Sequence, residues 1–165
     1  MSDITIEEKS VFNETIQELL QAKKVQEMKL YLQHGNSSTL SHSLVVTYYS
    51  YRLATRLPIR FSYKSLIRGA MLHDFYLYDW HIPDKSHRFH AFTHPRTSLI
   101  NARRYFKLNS IEEDIILKHM WPLTIIKLPA SRESLLVCIV DKVCSLIETF
   151  KIPIQPKDSL FHTIK

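Results

Sequence analysis

Apolar residues recur along the chain at the three- and four-residue spacing of amphipathic helices. Glycine occurs only twice, whereas strands joined by tight turns usually need more of it. The pattern therefore predicts an all-α protein, a compact bundle of about six to seven helices. The predicted helices span residues 6–33, 40–57, 63–78, 95–107, 110–120 and 132–150.

Local signals at the helix ends support these boundaries. Thr5 and Glu8 have the spacing of a capping box, in which a hydroxyl and a carboxylate satisfy free backbone N–H groups at a helix start. Ser110 and Glu113 repeat that spacing ahead of the fifth helix. Pro95 is expected at the first position of the fourth helix, where its missing N–H removes no hydrogen bond.

The length of 165 residues fits a single domain. We expect one domain over residues 1–165, with a core over about 39–150 and the first helix, 6–33, packed on it. Cys138 and Cys144 lie among apolar residues of one predicted helix, so unpaired core thiols of a reducing compartment are expected. The sequence starts without the basic and apolar segments of a signal peptide, and no apolar run reaches ~18 residues. A cytoplasmic protein that crosses no membrane is therefore expected.

The charge balance favours an anionic partner, although a merely solvated basic surface explains it equally well. The formal net charge is +6, which attracts anions over a distance. The basic residues are not clustered with interleaved aromatic residues, so binding to duplex nucleic acid is not expected. A small anion such as a phosphate ester fits better.

Ionisable residues interrupt four of the apolar helical segments. They are His42, the pair His73-Asp74, His119 and Asp141. Burying such groups is costly unless a partner compensates them, and a divalent metal ion is one such partner. Taken singly, each histidine is more simply an ordinary hydrogen-bonded residue, and Asp141 could cap a helix or pair with an arginine. Taken together, the residues predict a buried metal site.

At these residues the sequence resembles the HD superfamily of metal-dependent phosphohydrolases. The matching segments, SHSLVVTYYSYRLA, RGAMLHDFYLYDWH and CIVDKVCSLIE, contain His42, His73-Asp74 and Asp141 and lie within about residues 39–148. The resemblance implies an all-α domain in which His42, His73, Asp74 and Asp141 bind one metal ion. It also implies that His73 and Asp74 stand at the catalytic centre.

Two further segments resemble the binuclear members of that superfamily. His94 in FTHPRTSLINA and His119 in IILKHMWPLT stand where those members have additional ligands. The resemblance thus implies a second divalent ion, with Asp74 as the bridge between the two. Iron, manganese, zinc or cobalt would suit the mixture of imidazole and carboxylate. The strings LHDFYLYDWH, THP and KHMWPLT resemble a small bacterial HD-domain subgroup.

The sequence also departs from its relatives. Many of them follow His-Asp with Gly-Lys, whose lysine can touch phosphate, whereas Phe75 and Tyr76 stand here. Members of the HD-GYP group carry a second histidine where this chain has Met120, and the GYP motif itself is absent. Hydrolysis of cyclic-di-GMP is therefore not supported.

Substrate contacts are expected from the predicted loop over residues 79–93, a candidate lid. Loops of this length in compact domains are often functional, although an ordinary solvated loop is an equal alternative. Arg88 or Arg96 is predicted to meet substrate phosphate, because a guanidinium group can bind it in a bidentate manner. His87 or His90 could protonate a leaving group. Lys142, next to Asp141, is a weaker candidate for a contact with substrate phosphate.

The resemblance implies hydrolysis of a small phosphate ester, with a nucleotide as the expected class, by a metal-activated water. Two alternatives stay open. One is a binuclear-iron oxygenase of the same fold, and the other is a non-catalytic module that senses nucleotides. Aromatic residues from Tyr48 to Tyr51 would in addition allow a helix-packed homodimer.

Overall fold

Seven α-helices form the regular structure within the residues that the computed structural model describes, namely 5–33, 37–82, 89–154 and 156. They are α1 (Ile6–Leu20), α2 (Lys23–Glu27), α3 (Thr39–Ala54), α4 (Tyr63–Leu72), α5 (His90–Tyr105), α6 (Ser110–Lys118) and α7 (Arg132–Thr149). A 3₁₀ turn, Met28–Leu30, follows α2. The described residues contain no β-strand, so the all-α prediction is confirmed.

Helix α4 lies at the centre of the bundle and packs against α1, α3, α6 and α7. Its approach to α6 depends on Gly69, because a Cβ atom there would lie 2.5 Å from Cδ1 of Ile115. Helix α1 buries Phe12 and Ile16 in the same core. The two thiols, Cys138 and Cys144, are buried and unpaired, as predicted. No helix in the described ranges is long and apolar enough to span a membrane.

The first predicted helix is wrong in its length, because α1 ends at Leu20 and the chain then turns. Ala22 is extended, with ψ at 119°, and the side-chain amide of Gln26 donates to the carbonyl of Leu20 at 2.7 Å. After this turn, Val25 and Met28 are fully buried. Neither glycine nor proline marks the break, so the hydrophobic periodicity predicts a helix that continues to residue 33.

The third predicted helix also ends early. Helix α4 stops at Leu72, with His73 as its C-cap. The Nδ1 atom of His73 donates to the carbonyl of Ala70 at 2.7 Å. A side chain thus provides a hydrogen bond to a carbonyl near the helix end. Further on, Leu77 has a left-handed φ of 58°, which no continuous helix allows. His73 and Asp74 thus lie at the end of α4 and not within it.

The end of α3, the start of α5 and the cap of α6 also differ from the prediction, and α3 ends at Ala54 instead of residue 57. Helix α5 already begins at His90, so the predicted 79–93 loop ends earlier and Pro95 lies inside the helix. Because proline has no N–H, the carbonyl four residues before it receives no helical hydrogen bond. The capping box of α6 is formed by Asn109 and Glu112 and not by Ser110 and Glu113. The Thr5–Glu8 box is confirmed.

The aromatic segment considered for a homodimer is mostly buried. Tyr51 is fully buried, and Tyr48 exposes 5% of its surface. The ring of Tyr51 packs 5.1 Å from that of Phe12, between the centroids. The two tyrosines therefore belong to the core, because α1 covers the face of α3 from which they project. Tyr49 is half-buried, so this segment exposes little aromatic surface, and the homodimer stays a prediction.

Candidate metal centre

The six predicted metal ligands come together from five parts of the chain. His42 lies in α3, His73 and Asp74 follow α4, His94 lies in α5, His119 caps α6, and Asp141 lies in α7. Each of these residues exposes at most 4% of its surface. Their ligand atoms form two groups of three, in each of which the atoms lie within 4.8 Å of one another. These groups could hold metal ions.

The first trio consists of His42, His73 and Asp141. The Nε2 atom of His42 lies 3.1 Å from Oδ1 of Asp141. The Nε2 atom of His73 lies 3.7 Å from that same oxygen. One carboxylate oxygen of α7 therefore faces imidazole nitrogens from α3 and from the end of α4.

The second trio consists of Asp74, His94 and His119. The Oδ1 atom of Asp74 lies 3.2 Å from Nε2 of His94 and 3.4 Å from Nε2 of His119. The other oxygen, Oδ2, lies 3.2 Å from Nε2 of His73 and 3.9 Å from Nε2 of His42. Asp74 thus turns one oxygen toward each trio.

All four histidines are oriented by a partner at Nδ1. His42 donates to Oε2 of Glu148 at 2.7 Å, and the other three donate to backbone carbonyls. These are His73 to Ala70 at 2.7 Å, His94 to His90 at 2.8 Å, and His119 to Ile116 at 2.8 Å. With the proton held at Nδ1, a neutral ring presents the Nε2 lone pair to the centre. Metal-binding histidines generally have this second partner.

Two observations indicate that a cation fits between these groups. Nε2 of His94 and Nε2 of His119 lie only 2.8 Å apart, and two lone pairs at that distance repel each other unless a cation lies near both. In addition, Nε2 of His73 and Oδ1 of Asp74 are buried without a hydrogen-bond partner. Buried polar atoms usually have one. The donor set therefore fits divalent ions.

The pKa values differ between the trios. Burial lowers the pKa of His42 and His73, but the adjacent carboxylates outweigh it and raise the pKa to about 9 for His42 and to about 10 for His73. At His119 burial prevails and lowers the pKa to about 4. Burial acts to raise the pKa of Asp74 and Asp141, but the imidazole groups hold both well below their usual range.

Further polar side chains surround Asp141 and His42. Ser145 donates to Oδ1 of Asp141 at 3.1 Å, and Lys142 donates to Oδ2 at 2.6 Å. The Lys142 ammonium group also reaches the carbonyl of His119 at 3.0 Å, so it joins α7 to the end of α6. Glu148 was not predicted as part of the site, although it lies seven residues after Asp141 and hence on the same helix face.

Asp74 has a support that sequence reasoning missed. The side-chain amide of Gln33 donates to Oδ2 of Asp74 at 2.5 Å, and the hydroxyl of Tyr76 donates to the amide oxygen of Gln33. The hydroxyl of Thr39 lies 3.0 Å from that of Tyr76. This chain of hydrogen bonds orients the Gln33 amide with its nitrogen toward the carboxylate. Gln33 is 41 residues from Asp74, so no local spacing signals the contact.

The predicted substrate-binding residues lie less close together than the six candidate metal ligands. His90 begins α5, its Nδ1 lies 2.8 Å from the hydroxyl of Tyr78, and its ring stacks 4.5 Å from that of His94. Arg96 is exposed on α5. His87 and Arg88 lie outside the described residues. Lys142 contacts Asp141, as given above, and its contact with phosphate stays a prediction.

Comparisons of the chain with protein-family models, with curated proteins and with solved structures found no match. The resemblance to the HD superfamily thus rests on the motifs alone. The geometry of the two trios is independent of that resemblance, because it follows from the positions of the side chains.

Proposed function

We propose that this chain is a metal-dependent phosphohydrolase of the HD type that acts on a small phosphate ester, with a nucleotide as the expected substrate class. One observation carries the proposal: the Asp74 carboxylate, which belongs to the second buried trio, turns its other oxygen toward the first. Paired sites of this kind are used for phosphoryl chemistry. The order of the motifs along the chain supports the same class.

In the proposed centre, His42, His73 and Asp141 would hold one divalent ion, and His94 and His119 would hold the other, with Asp74 available to both. Divalent ions supply Lewis-acid chemistry, namely activation of water and polarisation of a phosphoryl oxygen. The Nδ1 partners keep the four imidazole rings in place, and burial excludes bulk water, which strengthens each electrostatic contact.

We assign the proton that the leaving group requires to His90. Its ring lies beside that of the proposed ligand His94, and Tyr78 shares a hydrogen bond with it. Imidazole is the side chain most often used for such a transfer. No covalent nucleophile is needed in this scheme.

The phosphate contact is better sought at Arg88 than at Arg96. Residues two apart on a helix do not share a face, and Arg96 lies two positions after the buried His94 on α5. Its exposed side chain therefore projects away from the second trio. Lys142 is held by Asp141, so its ammonium group supports a ligand in this scheme.

The decisive experiment purifies the chain without oxygen, measures its metals, and assays a panel of phosphoesters with each candidate metal. We expect phosphate release to disappear in both His73→Ala and Asp74→Asn. Metal should be lost from the first trio in His73→Ala and from both trios in Asp74→Asn. His81→Ala and Asp79→Asn are matched controls, since both residues are partly exposed and pair with each other at 3.1 Å. Both controls should retain their bound metal.

The same preparation separates the alternative functions. Turnover that requires oxygen, with a mixed-valence iron signal, would identify the oxygenase instead. Nucleotide binding without release of phosphate from any ester of the panel would identify the sensing module. Either result, obtained with metal-loaded protein, would overturn the proposed hydrolase.

A further inference from the structure

The solvent face of α7 is apolar along nearly its whole length. Leu135, Ile139, Val143 and Leu146 expose 42%, 51%, 52% and 60% of their surfaces. Between Glu133 and Glu148, the helix has no other exposed residues. Phe150, directly after the helix, exposes 69%. We call these five residues the α7 stripe.

The opposite face of α7 is already used by the bundle and by the metal centre. Val137, Cys144 and Asp141 are buried there, and α7 packs against α3 and α6. A helix that is apolar on both sides is typical of a buried element. The α7 stripe therefore has the composition of a surface that a partner covers.

The segment that leads into α7 carries further exposed apolar side chains. Leu123, Ile125, Ile126 and Leu128 expose 50%, 79%, 99% and 61% of their surfaces. Four large side chains within six residues are thus turned toward solvent just ahead of the helix. Isolated apolar residues on a surface are ordinary, but a continuous set of this kind marks an interaction site.

We propose that the α7 stripe and residues 123–128 are the surface through which two copies of this chain associate. The stripe suits a two-fold symmetric contact because it can pack against itself. Leu135, Ile139 and Val143 form an i, i+4 ridge, and such ridges of two helices interdigitate. With the symmetry axis between Ile139 and Val143, each Ile139 meets Val143 of the second copy.

Size and charge favour a second copy as the occupant. The 18 residues of α7 span about 27 Å, and a stable association buries about 800 Å² on each partner. Contacts along the helix supply part of that area, and the side chains of residues 123–128 supply the rest. The stripe itself carries no charge on a chain of net charge +6, although Lys127 lies within residues 123–128. Two copies therefore meet along the stripe without facing like charges.

The ends of the helix are complementary in the same arrangement. Two antiparallel copies of α7 bring Arg132, at the start of one helix, near the C-terminal carbonyls of the other. A cation at that position interacts favourably with the helix dipole. The inference does not depend on the proposed function, because none of the stripe residues is a proposed metal ligand.

Sedimentation of the natural 165-residue chain tests the association. We expect a particle of twice the mass of the 19.5 kDa chain. Ile139→Glu should raise the dissociation constant at least about thirtyfold, because it buries a charge without a partner. Ile100→Glu is the matched control, since Ile100 exposes 45% of its surface on α5. It should remain dimeric.

A mixing experiment tests the pairing without relying on one variant. Ile139→Lys and Val143→Glu should each be monomeric alone, with helix content equal to that of the natural chain, and should form a mixed dimer when combined. A natural chain that stays monomeric at its highest soluble concentration would overturn the inference, whether or not it binds lipid vesicles. Single variants that remain dimeric, or folded variants that do not pair on mixing, would also overturn it.

Discussion

The two halves of the candidate metal centre are supported in different ways. Around the first trio, His42 donates to a carboxylate, Glu148, and the ligand Asp141 receives Lys142 and Ser145. Around the second trio, His94 and His119 donate only to backbone carbonyls. One half therefore belongs to a network of charged side chains. In the other half the two histidines are held by helix carbonyls, and Asp74 is held by the neutral amide of Gln33.

This difference determines how each half behaves without a metal ion. In the first trio the carboxylates raise the pKa of His42 and His73, so protons can take the place of a cation there. In the second trio burial lowers the pKa of His119 to about 4. The Nε2 atom of its neutral ring then lies 2.8 Å from Nε2 of His94. Protons therefore compete with a metal ion for the imidazole groups of the first trio, whereas His119 of the second trio binds a proton only weakly.

The largest effect is expected from Asp74→Asn, because this residue turns an oxygen toward each half. Loss of one carboxylate should lower the metal content of both trios and bring activity to background. Elemental analysis and the phosphoester assay measure the two effects, with Asp79→Asn as the control. A variant that still binds metal at both trios would show that Asp74 does not join them.

Removal of a single imidazole should separate the halves. His119→Ala should lower occupancy of the second trio and leave the first, whereas His42→Ala should do the reverse. The reason is that each ring belongs to one trio only. Metal titration with a spectroscopically visible ion such as cobalt counts the sites that remain. If both sites disappear together in His119→Ala, the trios do not act as separate binding units.

The residues of the two halves differ in how far the sequence reveals them. Five of the six candidate ligands could be predicted because each places an ionisable group in or beside an apolar segment, whereas His94 was implied only by the resemblance to the HD superfamily. Glu148 was within reach, since it shares a helix face with Asp141. Gln33 was not, because its position depends on the break after Leu20, which no glycine or proline signals. The exact end of α4 depends on the contact of His73 with the Ala70 carbonyl, which is a local matter of one side-chain rotamer.

The pH dependence of metal binding should also distinguish the halves. His42 and His73 have raised pKa values of about 9 and about 10, so both hold protons at neutral pH that a metal ion must displace. Affinity of the first trio should therefore rise roughly tenfold per pH unit for each displaced proton. It should level off as the pH passes the two pKa values.

Burial lowers the pKa of His119 to about 4, so protonation of this ring should reduce the metal affinity of the second trio only in acid. Calorimetry in buffers of different ionisation enthalpy counts the protons released. The His42→Ala and His119→Ala variants assign them to one trio or the other. Equal proton release in both variants would contradict the proposed difference.

Glu148→Gln should weaken the first trio alone. It keeps the shape of the side chain but removes the negative charge that faces Nδ1 of His42 at 2.7 Å. Changes at such second partners typically cost 10–100-fold in metal affinity. Glu133→Gln is a control on the same helix, because Glu133 is also buried but accepts a hydrogen bond from the Ser62 backbone. An unchanged affinity in Glu148→Gln would mean that the carboxylate only fills space.

Ser145→Ala should produce the smallest effect of the series. The Ser145 hydroxyl donates one neutral hydrogen bond to Oδ1 of Asp141 at 3.1 Å. Such a bond contributes about 1 kcal/mol, which corresponds to about a fivefold loss of metal affinity at the first trio. Thr149→Ala removes a similar hydroxyl one turn later, where it contacts only the Ser145 carbonyl, and should leave the affinity unchanged. Since Ser145 carries no charge, a loss as large as that of Glu148→Gln would show that orientation of Asp141, and not the surrounding charge, distinguishes the first trio from the second.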